Sequence, residues 1–427
     1  MKLNLERVEV DEVTFGQENS FDDGLLTIDK KELLDEIEHD HRITSLNAEI
    51  VRPGESVRVM PVKDVVEPRV KVDENGLFPG FIGEEDQAGA GTTRVLSGMS
   101  VMTTGNVVGF QEGIIDMRGP GAEYTPFSET INVVLTCEVE EGTEEHIHEE
   151  ILRLLGLKAA HYIGEIGLEA EPDSSQTFEH QPLSGAAKDG DDLPLVGYVY
   201  MLQSQGLLHD TYVYGVDAKE ILPTLISPTK VMDGAIVSGN CVSACDKNST
   251  YFHQNNPVIE ELYRRDGEDF NFVGTIITNE NVTLDDKERS STLSAEIAEN
   301  LGLDAAIISE EGFGNPDTDL ILNCKKLEKR GIKTVLITDE YAGRDGASQS
   351  LADASPEADA VVTTGNANEV IELPPLDRVI GHQEYADSIA GGFEGSLQED
   401  GSIRVELQAI TGSTDELGYT NLSAKGY

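Results

Sequence analysis

The chain has 427 residues, enough for two or three domains with cores of their own. It carries 80 Asp and Glu against 31 Lys and Arg, a formal charge of −49 that excludes nucleic acid and anionic membrane surfaces as partners, since both need clustered cations. No apolar run is long enough to span a bilayer, and the opening MKLNLERVEV interleaves charges with aliphatics unlike a signal peptide, so the cytoplasm is the expected location.

The first third reads as strands and turns. Strands are predicted over Leu3–Val13, Glu49–Pro61 and Arg69–Val72, with one short helix over Leu33–Ile37. Gly89, Gly91 and Gly98 lack phosphate-loop spacing and read as tight turns. Ile131–Cys137 is a buried strand, followed by a helix over Glu144–Leu157 with Gly156 near its end. His146, His148 and His161 cluster around this helix. His146 and His148 are two apart and face different sides, and there is no HExxH pattern, so no metal site is expected. The four cysteines, at 137, 241, 245 and 324, form neither a zinc pattern nor a disulfide framework.

Residues 171–193 are polar and turn-rich and read as a surface loop. Leu193–Gly206 (LPLVGYVYMLQSQG) reads as another buried strand. From Asn271 the pattern becomes regular. Strands over Phe272–Thr278, Ala305–Ser309, Thr334–Thr338 and Ala360–Thr364 alternate with helices over Asp285–Leu301, Asp317–Arg330 and Gln349–Ala354. That alternation predicts a parallel sheet with ligands beyond its carboxyl ends, where Asn279, Glu280, Glu310, Glu311, Asp339, Glu340, Gly365 and Asn366 fall. Such carboxylates suit a small ammonium group, or serve as ordinary turn and cap residues. The predicted fold class is therefore α/β: a strand-rich α+β amino-terminal part, then a Rossmann- or flavodoxin-like parallel domain. The spread of carboxylates along the whole chain fits a halophilic protein, in which high salt screens self-repulsion.

The segment Met232–Pro257 (MDGAIVSGNCVSACDKNSTYFHQNNP) carries the chemistry. Cys241, after Gly239 and Asn240, is placed for an N-to-S acyl shift. β-Elimination and hydrolysis would then leave a pyruvoyl group at a new amino terminus. Asp246 and His253 are candidates for moving protons there. Cys245 and Lys247 read as packing and surface residues, while Glu311 and Asn315 are chosen for substrate contact.

With LVGYVYMLQSQGLLHDTYVYG and EEGFGNPDTD, this segment makes the chain resemble the precursor of the α and β subunits of component B of the glycine/sarcosine/betaine reductase family. The resemblance implies a proprotein cut between Asn240 and Cys241 into parts 1–240 and 241–427, with the pyruvoyl group derived from Cys241 and neither metal nor nucleotide. It implies that the ketone condenses with the substrate's amine. It further implies a selenocysteine-containing component B subunit supplying the nucleophile, a small selenoprotein component A, an acetyl phosphate-forming component C and thioredoxin as electron donor. The setting would be Stickland-type fermentation in an anaerobe. Glycine, sarcosine and betaine remain open as substrates, although a quaternary nitrogen cannot condense with a ketone. By residue chemistry alone two other readings stand beside this one: an enzyme with intact Cys241 and Cys245 thiols, and a non-catalytic small-molecule-binding subunit.

Overall fold

The computed structural model describes residues 1–72, 80, 87–179, 193–206, 208, 210–239 and 248–417, and the backbone of 425–426. The fold is mixed α/β. In the first strand Leu3, Leu5 and Val8 are buried while the intervening polar residues face outward. This strand, Lys2–Glu9, lies in a four-stranded sheet with Ser174–Glu179, Gly91–Ser97 and Arg69–Lys71. The predicted strand Leu3–Val13 is thus two strands, the second being Glu12–Gly16, and the predicted loop 171–193 contains the strand Ser174–Glu179. The short helix is present as Lys30–Ile37, capped by the Asp29 side chain.

A second sheet contains β1 (Val57–Val66), flanked by Gly113–Asp116 and Met99–Thr104 and extended by Ile131–Val139 and Ile43–Val51. The predicted strand Glu49–Pro61 runs across a turn at Pro53 and Gly54, where φ is +79°. Every residue of β1 is buried, Arg58, Lys63 and Asp64 included. Arg58 pairs with Asp116 at 2.6 Å and Lys63 with Glu112 at 2.6 Å, so these charges are paired rather than solvated.

Helix α1 (Glu145–Ile166) packs on this sheet and runs well past Leu157. Gly156 does not end it. A Cβ there would lie 2.9 Å from Thr103 Cγ2, and one at Gly164 2.8 Å from the Arg69 carbonyl oxygen, so both glycines are sites of close approach. His148 on this helix is buried, and burial together with the Lys63 charge pushes its pKa down to about 4. It is neutral in the folded chain, whereas the unfolded chain takes up a proton below about 6.5. Its contribution to stability is therefore full above that pH and is lost as pH falls toward 4, by up to about 3 kcal/mol. Urea melts of His148→Gln should show a shallower loss than the native sequence over this window; parallel losses would refute the assignment.

The third sheet holds five parallel strands: β2 (Leu195–Leu202), β3 (Asn271–Asn279), β4 (Ala305–Ser309), β5 (Lys333–Glu340) and β6 (Val361–Asn366). Their spatial order is β3-β2-β4-β5-β6, so β2, the first in the chain, lies between the second and the third. Antiparallel strands Thr224–Ile226 and Lys425–Gly426 close the two edges. On one face Tyr198 and Tyr200 of β2 share a core with Phe252, Ile259 and Leu262. These last three come from α2 (Thr250–Gln254) and α3 (Pro257–Arg265). On the other face Val199 and Met201 pack with Ala295, Ala298, Leu320 and Cys324 of α4 (Leu284–Leu301) and α5 (Asn315–Glu328). Gly302 ends α4 at φ +69°, as its position in the sequence predicts.

The helix predicted through Gln349–Ala354 is absent. Side-chain acceptors take backbone N–H groups of this stretch, Asp317 that of Ala352 and Asp353 that of Ala354 at 2.8 Å, and of the chain just ahead of it, Asn368 that of Gly343 at 2.9 Å and Asp345 that of Ala347 at 3.1 Å. Strand β7 (Arg378–Gly381), which follows in the chain, lies outside the parallel sheet and runs parallel to β1.

Candidate functional site

Connections leaving β2 and β4 pass to opposite faces of the parallel sheet. Their ends are therefore where a doubly wound sheet opens a crevice. Gln203 follows β2, Glu280 follows β3, and Glu310 and Glu311 follow β4. The Glu311 carboxylate accepts the backbone N–H of Gln203 at 3.1 Å and that of Asn248 at 3.0 Å. The backbone N–H of Glu311 donates to Glu280 Oε1 at 2.9 Å. One acid thus ties the ends of β2 and β3 to the chain at 248.

The connection from β2 to β3 carries the segment singled out in the sequence. Asn240, Cys241, Cys245, Asp246 and Lys247 lie outside the described residues. The flanks on either side are held firmly. The Gly239 N–H donates to the Asp210 carbonyl at 2.6 Å. The Ser238 N–H donates to Thr250 Oγ1 at 3.0 Å, so the chain before 240 and the chain after 247 meet directly. Thr250 in turn gives its N–H and hydroxyl to Asp64 of β1, at 3.0 and 2.6 Å. Asn248 and Ser249 are 1% and 0% exposed. Their side-chain polar atoms, Asn248 Nδ2 and Oδ1 and Ser249 Oγ, have no hydrogen-bond partner among the described residues.

His253 lies on α2 with Nδ1 2.8 Å from the Tyr200 hydroxyl. Tyr200 stacks on Tyr198, whose hydroxyl is 2.6 Å from Ser309 Oγ. Burial, with Tyr198 and Glu311 nearby, pushes the Tyr200 phenol well up, so it keeps its proton and can donate to Nδ1. Asn315 opens α5 with an exposed side chain, and its carbonyl accepts from Lys287 Nζ at 2.8 Å. The structure therefore brings Glu311 to the Asn248 N–H and His253 to Tyr200 of β2, while the Asn315 side chain is exposed. Sequence reasoning did not single out Gln203, Asn248, Ser249, Asp64 or Tyr200. The available signal was the QSQG run directly after an apolar strand, which marks a crest position once that strand is assigned to the parallel sheet.

The crest acids are buried. Burial pushes Glu280 and Glu310 well above the carboxylate range, with Glu311 adding to the first and Asp317 to the second. Glu310 accepts from Thr338 Oγ1 at 2.7 Å, and Asp317 accepts the Gly314 N–H at 2.9 Å. These acids do the work of turn and cap residues. Glu280 Oε2 has no hydrogen-bond partner among the described residues. Cys137 and Cys324 are buried; burial pushes the Cys137 thiol up to about 12, and Cys324 packs in α5 beside Thr334. Among the described residues no group of three or more His, Cys, Asp or Glu is arranged to hold a metal ion, and no helix is long and apolar enough to cross a membrane.

The profile of the family described as "Glycine/sarcosine/betaine reductase component B subunits" matches residues 1–425. The chain is 61% identical, over the full length of both, to "Glycine reductase complex component B subunits alpha and beta" of Acetoanaerobium sticklandii. It is 60% identical to the protein of the same name from Peptoclostridium acidaminophilum, again over the full length of both. It is 53% identical, over the full length of both, to "Sarcosine reductase complex component B subunit alpha" of P. acidaminophilum. No solved structure matches.

Proposed function

Because the chain belongs to the family of glycine/sarcosine/betaine reductase component B subunits, we propose that it is the precursor of the substrate-activating subunits of such a reductase, cut between Asn240 and Cys241 with a pyruvoyl group left at 241. Identity is higher to the two glycine-reductase relatives than to the sarcosine one, so glycine is the proposed substrate. A pyruvoyl group supplies an electrophilic ketone that draws electrons from the C–N bond of an amine joined to it. In this reading the nucleophile belongs to a selenocysteine-containing partner subunit, electrons come from thioredoxin, and the carbon fragment leaves as acetyl phosphate through further components.

The observation that carries the proposal is the closure of the chain around the segment. Ser238 bonds to Thr250, and Glu311 holds Asn248 at the switch point of the sheet. Holding both flanks in place lowers the entropy cost of bringing a thiol to the carbonyl that precedes it. The buried polar atoms of Asn248 and Ser249 fit a polar group placed next to them. Glu311 positions the segment, and His253, with Tyr200 on Nδ1, holds or moves a proton through its ring. Asp246 is proposed to share that proton transfer, and Asn315 to contact substrate from the mouth of the crevice.

The test is an intact mass under denaturing conditions. Two pieces of 240 and 187 residues are expected, with the smaller one blocked at its amino terminus and reactive toward hydroxylamine. One full-length chain with a Cys241 thiol in a reductase that turns over overturns the proposal in favour of an intact-thiol enzyme.

A further inference from the structure

Asn248 and Ser249 are adjacent buried residues on the flank held by Glu311. Asn248 is 1% exposed, and both ends of its side-chain amide are without a partner among the described residues. Ser249 is fully buried at the cap position of α2, where a serine hydroxyl ordinarily accepts a helix N–H. Here it makes no such bond, and its Oγ has no partner either. Their backbones are nonetheless fixed. The Asn248 N–H is held by Glu311, and the Ser249 carbonyl accepts from Phe252 and His253 at 2.9 and 3.1 Å. Neighbouring Thr250 spends its own polar groups on Asp64 and Ser238. Buried polar groups left unmade are rare in folded proteins and destabilise them unless a ligand completes them.

We propose that the Asn248 amide and the Ser249 hydroxyl recognise the substrate, a small α-amino acid, with Nδ2 and Oγ donating to its carboxylate and Oδ1 accepting from its nitrogen. The inference rests on the reading above that an amine joins a group at position 241. The chemistry of the pair argues for this ligand class. It offers N–H and O–H donors together with one carbonyl acceptor, and it carries no charge. A ligand that satisfies all of them has an acceptor and an N–H on adjacent carbons. The surroundings are acidic: Glu311 holds Asn248, and Glu416 accepts the Gly312 N–H at 3.0 Å. A plain carboxylate leaves Asn248 Oδ1 without a donor, whereas an amino acid supplies an N–H to it. The pair therefore selects amino acids over simple carboxylic acids.

The full chain is incubated with increasing glycine or ethylamine and trapped with cyanoborohydride, and the mass gain on the 187-residue piece is read. Glycine binding is followed in parallel by titration calorimetry. Asn248→Ala and Ser249→Ala should each raise the half-saturating glycine concentration by about tenfold or more, because a donor to the carboxylate is gone. Ethylamine, which has no acceptor in place of the carboxylate, should shift far less. Glycolate should not compete. Equal shifts for glycine and ethylamine, unchanged glycine saturation in both variants, or strong competition by glycolate would each overturn the assignment. Ser249→Ala removes one oxygen only and keeps the test open if Asn248→Ala does not fold. A native chain that traps no amine refutes the pyruvoyl reading, and calorimetry of glycine on the native and variant chains then still decides the role of the pair.

Discussion

Cys241→Ala will yield one 427-residue chain in denaturant where the native sequence yields two pieces, yet both proteins will migrate as particles of one size under native conditions. The first half follows from chemistry, since alanine has no thiol to attack the preceding carbonyl. The second half follows from topology. Strand β2, ahead of the cut, lies between β3 and β4, which follow it, and pairs with both. In the opposite direction β7, from behind the cut, runs along β1 in the second sheet. Each piece thus gives a strand to the other's sheet. Buried polar bonds add to this. Arg69 reaches Asn255 at 2.8 Å, Gln254 accepts the Glu67 N–H at 3.0 Å, and Arg58 donates to the Pro374 carbonyl at 3.1 Å. Without β2, strands β3 and β4 would face each other across a gap with two unpaired edges. Cutting must therefore follow folding, and the two pieces made separately should fail to assemble. Size-exclusion chromatography with denaturing gels of the peak decides it: cut pieces that elute apart would show that they do not share a sheet.

How far the sequence disclosed this arrangement depends on the range of the interactions. The elements from 271 to 338 were legible because their signals are local: a Thr283 cap, an αL Gly302, Pro316 in the first turn of α5, and apolar runs of strand length. Strand β2 was legible as a buried strand but not as the centre of that sheet. Its partners begin some 70 residues away, and a continuous apolar run does not say which sheet it joins. Strand β1 was legible only in its first half, within the strand predicted over Glu49–Pro61, and for a different reason. Arg58, Lys63 and Asp64 mimic a solvated face, and only their partners Asp116, Glu112 and Thr250 show that they are buried. The helix expected at 349–354 failed because Asp317, distant in sequence, and Asp353 take the Ala352 and Ala354 N–H groups in place of helical acceptors. At the site, Glu311 was legible as a crest residue of a parallel strand. That its carboxylate binds two backbone amides was not, because one of them comes from a strand end 108 residues earlier and the other from 63 residues earlier.

Glu311→Ala is expected to block cutting almost completely, and Glu311→Gln to slow it by about tenfold to a hundredfold. Both carboxylate oxygens accept, from Gln203 and from Asn248. A glutamine of the same shape keeps one acceptor and turns an NH2 group toward the other N–H, so one bond is lost and replaced by a clash of donors. Hydrogen bonds to a charged acceptor contribute roughly 1.5–3 kcal/mol, which corresponds to about that range of rates if the bond is needed to hold the segment in its reactive shape. Alanine loses both bonds and leaves Asn248 untethered. The substitutions are confined to the crest, so the melting temperature should fall only modestly for Gln, and rate and stability should separate. Glu280→Gln is the informative comparison. Burial already disfavours the charged form of Glu280, and a glutamine still accepts the Glu311 N–H, so the cut should slow much less than in Glu311→Gln. A pulse of synthesis followed by denaturing gels over time gives the rate for each variant. If Glu311→Gln matures at the native rate, the grip on Asn248 is not what sets the geometry of the cut. If Glu280→Gln is as slow as Glu311→Gln, the controlling element is the acid chain as a whole and not the two amides held by Glu311.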